Sequence, residues 1–150
     1  MKQQGFTLIE LMVVLVIIGI ASAAISLTIK PDPLHLLRKD AERLSQLLQV
    51  AQAEARADGR PITWRADAKG FRFNRRSDDG LGVESFQGDD QLRPRPWEST
   101  PMQVTIEPRQ TLVLDAEWIN PPVRVELSDG QHRLRLQRDA AGLMRVVSPP

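Results

Sequence analysis

The feature that most limits what this chain can fold into is an uncharged apolar run from Leu11 to Ile29, entered directly from Gly5-Phe6-Thr7-Leu8-Ile9-Glu10. As a helix rising about 1.5 Å per residue it would be about 28 Å long. That approaches the roughly 30 Å hydrocarbon core of a bilayer. The run is rich in Val, Ile and Leu, and no proline interrupts it before Pro31. A segment in lipid has to satisfy its own backbone hydrogen bonds, so a helix is predicted. Before it stands Met1-Lys2-Gln3-Gln4-Gly5, with one cationic side chain. A secretory signal is a competing reading, with Ala21-Ser22-Ala23 as the cleavage site. Glu10 argues against it, because a carboxylate at membrane depth costs on the order of 2.5–3.5 kcal/mol and calls for a partner. One local partner is available, since Thr7-Leu8-Ile9-Glu10 has the form of a helix capping box. Gly19 with Ala23, and Ser22 with Ser26, are small-residue pairs that would permit close helix approach.

Gly5-Phe6-Thr7-Leu8-Ile9-Glu10, followed by Leu11-Met12-Val13-Val14-Leu15-Val16-Ile17-Ile18-Gly19-Ile20, resembles the start of type IV pilins and type II secretion pseudopilins. The resemblance implies cleavage between Gly5 and Phe6 by a prepilin peptidase on the cytoplasmic side of the membrane. It also implies methylation of the new amino terminus on Phe6, and retention of the apolar helix as the core of a filament. Cleavage would place a positive amine four residues before Glu10 on one helix face. In a bundle of such helices, Glu10 of one subunit could meet the Phe6 amine of a neighbour, relieving two charges that are each costly in low dielectric.

The 150 residues leave room for one modest domain beyond this anchor. A net charge of +1 favours no acidic partner overall, and the absence of cysteine excludes a disulfide framework or a cysteine metal site. Lys2 precedes the span and Lys30 follows it, so the distribution of positive charge says almost nothing about orientation. The resemblance implies a single-pass protein of the bacterial inner membrane, amino terminus cytoplasmic and carboxy-terminal domain periplasmic.

Lys30-Pro31-Asp32-Pro33 should break the helix. From Leu34 to Asp58 a second helix is predicted, because Leu34, Leu37, Ala41, Leu44, Leu48, Ala51 and Ala55 recur at spacings of three and four. Arg38, Lys39, Asp40, Glu42, Arg43 and Glu54 fall off that stripe. The single, alanine-rich stripe favours packing on the protein's own sheet over a partner coiled coil. Gly59 can end the helix in the left-handed conformation, and Pro61 follows.

Beyond Gly59 the pattern changes to short alternating runs. Ile62-Thr63-Trp64-Arg65 and Phe71-Arg72-Phe73 flank Asp67-Ala68-Lys69-Gly70 and read as a hairpin. Arg75 to Pro101 reads as a long loop with a short strand at Val83 to Phe86. Strands are predicted at Met102 to Glu107, Thr111 to Leu114, Val123 to Leu127, around Leu134 and Leu136, and at Leu143 to Val147. Ser128-Asp129-Gly130 and Asp139 to Gly142 are the turns between the last three.

The expected fold class is therefore α+β: a long amino-terminal helix, transmembrane then amphipathic, packed on an antiparallel β domain of six to eight strands. The expected organisation is a leader at 1–5, a transmembrane and filament-core helix at 6–29, a proline break at 30–33, an amphipathic helix at 34–59 and a periplasmic β domain at 60–150. The step from helix to hairpin between Ala53 and Ile62 is similar to the minor, H-type pseudopilins of type II secretion, and to minor pilins of type IV pili. That resemblance implies a structural subunit at or near the tip of a periplasmic pseudopilus that drives export of folded proteins. The partners it implies are the other minor pseudopilins, the major pseudopilin, the prepilin peptidase, inner-membrane lipid and exported proteins. A type IV minor pilin that binds DNA is the alternative.

Other chemistries have less support. His35 and His132 are the only histidines and sit in different elements, with no nucleophile elbow, zinc motif or phosphate loop. No enzyme activity, cofactor or metal is expected. His132 reads as an exposed strand residue. Asp78-Asp79-Gly80 and Gly88-Asp89-Asp90 hold oxygen ligands of the kind calcium prefers, but Asp-Gly is ordinary turn chemistry. Arg72, Arg75, Arg76, Arg93, Arg95, Arg133, Arg135 and Arg138 could contact phosphates. The acidic residues interspersed among them, and a near-neutral charge, favour a solvated strand face over nucleic acid. Trp64 and Trp118 read as core residues; Trp97, in a proline-rich loop, reads equally as core or as a partner surface.

Overall fold

The computed structural model describes residues 5–26, 32–116, 123–138 and 143–147. The chain divides after Asp32 into two compact units.

The first unit holds one helix, α1 (Leu8–Ser26). It is apolar on every side, and its large side chains are exposed all around it, from Leu8 at 78% to Val14 at 47%. The predicted capping box forms. Glu10 Oε2 accepts from the Thr7 N–H and the Thr7 hydroxyl, both at 3.1 Å, and the Glu10 N–H donates to Thr7 Oγ1 at 3.4 Å. Among the described residues no helix is long and apolar enough to cross a membrane. The described part of the apolar segment stops at Ser26, and Leu27 to Ile29 lie outside it.

The second unit opens with α2 (Pro33–Asp58). Proline suits a helix's first position, where its missing N–H has no intrahelical acceptor. Leu37, Ala41, Leu44, Leu48, Ala51 and Ala55 of the predicted stripe are buried, and Leu34 is half-buried. Flanking that stripe, polar side chains of α2 hold the sheets. Ser45 Oγ donates to the Met144 carbonyl at 2.6 Å, and Gln52 bonds the Asp115 carbonyl through Nε2 and accepts from Arg138 through Oε1. The helix ends at Gly59, whose φ of 66° lies in the left-handed region that favours glycine.

Nine strands follow among the described residues: β1 (Ile62–Ala66), β2 (Gly70–Arg76), β3 (Val83–Ser85), β4 (Arg95–Pro96), β5 (Gln103–Glu107), β6 (Leu112–Leu114), β7 (Arg124–Ser128), β8 (Arg133–Arg138) and β9 (Met144–Val147). They form two antiparallel sheets. One runs β3-β2-β1-β6, with β4 added to the end of β2; the other runs β5-β7-β8-β9. Alternation sets which side faces the core. Ile62, Trp64, Phe71 and Phe73 are buried from the first sheet, and Val125, Leu127, Leu134 and Leu136 from the second. Together with the α2 stripe they make one hydrophobic core. Each such side chain contributes about 1.5–3 kcal/mol on leaving water.

Two sequence expectations, the long loop and the exposed His132, are corrected, and the open reading of Trp97 is decided. The stretch from Arg75 to Pro101 is not one loop: β2 runs to Arg76, β4 pairs with β2, and Leu92, Trp97 and Ser99 are buried. Trp97 is a core residue, 4% exposed, its ring 4.7 Å from that of Phe71 and its indole N–H donating to the Asp67 carbonyl at 2.8 Å. Asp40, which falls off the apolar stripe, is nevertheless 1% exposed, because two backbone N–H groups of the β4–β5 connection need an acceptor at that point of α2. His132 is half-buried in the turn before β8, and its Nδ1 lies 3.0 Å from Asp129 Oδ2. Trp118, Lys30-Pro31 of the proline break and the turn from Asp139 to Gly142 lie outside the described residues.

Candidate functional site

Two places carry chemistry that a sheet-and-helix core does not explain. The first is the start of α1. Gly5 and Phe6 precede the helix, and the Phe6 ring is 86% exposed. Glu10 is the one acidic residue in the first turn. Its carboxylate, held by Thr7 of its own chain, stands at the positive end of the helix dipole, where an anion is favoured.

The second is a groove of about 1000 Å³ between the two sheets. Trp64, Phe71, Val104 and Ile106 give it apolar wall, and Arg65, Lys69, Arg72, Arg95 and Arg109 give it positive charge. Asp67 is its one carboxylate, and that group is committed. It accepts from the N–H groups of Lys69 at 2.8 Å and Gly70 at 3.0 Å, and these bonds hold it below the usual carboxylate range. Gly70 is required here, because a Cβ would run into the carbonyl oxygen of Arg95 where β4 crosses.

The structure divides the arginines differently from the sequence. Arg72 and Arg95 line the groove, together with Arg65 and Arg109, which linear inspection passed over. Arg75 turns away to Asp58 at 2.7 Å and Glu84 at 3.3 Å. Arg135 pairs with Glu126, and Arg138 reaches Gln52. One signal did exist in the sequence. In a hairpin turned at Asp67 to Gly70, Arg65 and Arg72 fall opposite each other, and they do.

The remaining candidates have local roles. Asp79 caps Leu81, and Asp89 caps Gln91 and Leu92. Burial works to raise the pKa of Asp129, but the backbone and ring of His132 and the N–H of Gln131 outweigh it and hold the carboxylate below its ordinary value. Among the described residues no three His, Cys, Asp or Glu side chains are grouped to hold a metal.

Two family models match the chain in succession. Residues 1–26 match the prokaryotic N-terminal methylation motif, and residues 40–142 match type II transport protein GspH. The chain belongs to the GspH family. A relative in Aeromonas hydrophila, type II secretion system protein H, is 31% identical over 91 residues, which cover 59% of this chain and 49% of the relative. The match thus spans about half of that relative's length. Two structures of the minor pseudopilin EpsH from the Vibrio cholerae type II secretion system share the fold. One has a TM-score of 0.59 at 18% identity, covering 75% of this chain and 97% of that one. The other has a TM-score of 0.55 at 14% identity, covering 77% and 96%. The GspH-family chain therefore has the predicted α+β, pilin-like architecture, with α2 packed on antiparallel sheets.

Proposed function

We propose that this chain is a minor pseudopilin of a type II secretion system, a structural subunit and not an enzyme. The observation that carries the reading is α1: an apolar helix exposed on every side, with one carboxylate in its first turn, in a chain that also carries a GspH-type β domain. Such a helix has no water-soluble resting place by itself and needs lipid or like helices around it.

In this reading the precursor sits in the inner membrane with its amino terminus cytoplasmic and its β domain periplasmic. A prepilin peptidase cuts between Gly5 and Phe6, and Phe6 is then methylated. Lipid holds α1 until it enters the filament core. There Glu10 meets the Phe6 amine of a neighbouring subunit. The Thr7 contacts keep the carboxylate at the helix start until that partner arrives. The β domain stands at or near the filament tip, against other minor pseudopilins and the major pseudopilin, and contacts exported proteins as the filament pushes them outward.

Intact-mass spectrometry of the chain, expressed with and without a prepilin peptidase, tests the first step. Peptidase-dependent loss of Met1 to Gly5 with a methyl group on Phe6 is expected, whereas peptidase-independent cleavage after Ala23 would end the proposal. Glu10→Ala should leave membrane insertion intact and impair incorporation into the filament. Normal incorporation of that variant would remove the intersubunit role of Glu10.

A further inference from the structure

Among the described residues, the groove between the sheets is bounded by unpaired strand edges. Arg65 and Ala66 of β1 pair with Arg72 and Phe71 on one side, but β6 covers β1 only from Ile62 to Trp64. Across the groove, among the described residues, β5 pairs with β7 alone and is the edge of its sheet. Edge strands offer rows of backbone donors and acceptors that favour pairing with another chain. Natural proteins blunt such edges, yet here two of them border one cleft with an apolar wall.

The charge of the cleft is unbalanced. Arg65, Lys69, Arg72 and Arg109 are exposed, and none makes an ion pair within 4.0 Å among the described residues. Arg65 and Arg72 are directly opposed on neighbouring strands, an arrangement that is destabilising in isolation. A surface with excess cations and open strand edges is complementary to an extended chain rich in carboxylates.

We propose that this groove binds an extended acidic segment of a partner protein by strand addition, its backbone pairing with the open edge and its carboxylates meeting Arg65, Arg72 and Arg109. The open backbone edges favour a polypeptide over a nucleic acid, which has no strand ladder to offer. The proposal deepens the pseudopilin reading by giving the chemistry of one partner surface.

The test uses the full chain in non-ionic detergent and a fluorescent ten-residue peptide that alternates Glu with Val or Thr. Fluorescence anisotropy should show binding that weakens at least tenfold between about 50 and 300 mM salt, as screened charges require. Arg65→Glu with Arg109→Glu should weaken it at least tenfold, while the variant keeps its wild-type unfolding midpoint. A peptide N-methylated at alternate residues keeps the charge and loses the pairing, and should fail to bind. Equal binding of the N-methylated peptide would overturn strand addition. Equal binding of single-stranded DNA of the same charge would overturn the choice of a polypeptide. No binding of the acidic peptide, or displacement of it by self-association of the chain at higher concentration, would overturn the proposal. Because Gly5–Phe6 processing is read separately by mass, failure in the groove is distinguishable from failure of the pseudopilin reading.

Discussion

Asp40 gives the sharpest test of how the helix and the sheets are joined. Its carboxylate lies on α2 and accepts the N–H of Glu98 at 2.9 Å and that of Ser99 at 2.8 Å. Both donors belong to the connection between β4 and β5, and Ser99 is 2% exposed. Around them, Lys39 pairs with Glu98 at 2.8 Å and Arg43 reaches the same carboxylate. Two explanations of the tether compete, and magnitude separates them. The Lys39–Glu98 pair is half in solvent and worth about 0.2–1 kcal/mol. Leaving a buried N–H without an acceptor costs about 1–3 kcal/mol. Asp40→Ala abandons two N–H groups, so the expected loss is about 2–5 kcal/mol. Glu98→Ala should cost less than about 1 kcal/mol. At about 4 °C per kcal/mol for a unit of this size, Asp40→Ala should lower Tm by about 8–20 °C.

Asp40→Asn refines the test. Burial pushes the Asp40 carboxyl above its ordinary value, while the Ser99 N–H, Arg43 and Lys39 pull it down without cancelling the shift. Asparagine keeps one acceptor oxygen and removes the buried charge, so it should retain most of the stability that Asp40→Ala loses. A raised folded pKa means that the contribution is fully present below the unfolded pKa and is lost as pH rises through the folded one. Wild type should therefore gain on Asp40→Asn as pH falls. The assay is thermal unfolding of the full chain in detergent, with amide exchange at Ser99 as the local readout. If Glu98→Ala costs more than Asp40→Ala, or if Asp40→Ala is within about 0.5 kcal/mol of wild type, the surface ion pairs make the tether and the reasoning from buried N–H groups is wrong.

Three further outcomes are expected. Asp129 has a lowered folded pKa, so its stabilisation is present above the unfolded value and lost as pH falls through the folded one; Asp129→Asn should be destabilised at neutral pH and should converge on wild type in acid, as read by urea midpoints. Gly70→Ala should cost about 1–3 kcal/mol, because its methyl group meets the Arg95 carbonyl and neither strand can shift without breaking the β2–β4 pairing; an unchanged denaturation midpoint would show that β4 is not held there. Leu48→Ala, at a fully buried position on α2, should cost about 2–5 kcal/mol, while Glu42→Ala on the exposed side should stay within about 0.5 kcal/mol.

What could be read from the sequence divides along a physical line. The α1 segment, the α2 stripe and the β1–β2 and β7–β8 hairpins are legible because their signals are local: an apolar run, a period of 3.6, and alternation across a turn. The burial of Asp40 is not legible, because helical periodicity shows which side a residue faces but not which backbone N–H groups will approach from 58 residues away. Trp97 was ambiguous for a similar reason. Its burial depends on β4 crossing β2 at Gly70, and a two-residue strand leaves no periodic trace. The groove is the least legible of all, since Arg65, Arg72, Arg95 and Arg109 are spread from β1 to the segment after β5, with β3 and β5 between them, and meet only when the two sheets form. Each arginine alone fits a solvated strand face. Together they do not, because a solvated face has no reason to set Arg65 opposite Arg72 beside an open strand edge. That juxtaposition, visible only once register is known, turns scattered charge into a site that calls for an anionic chain.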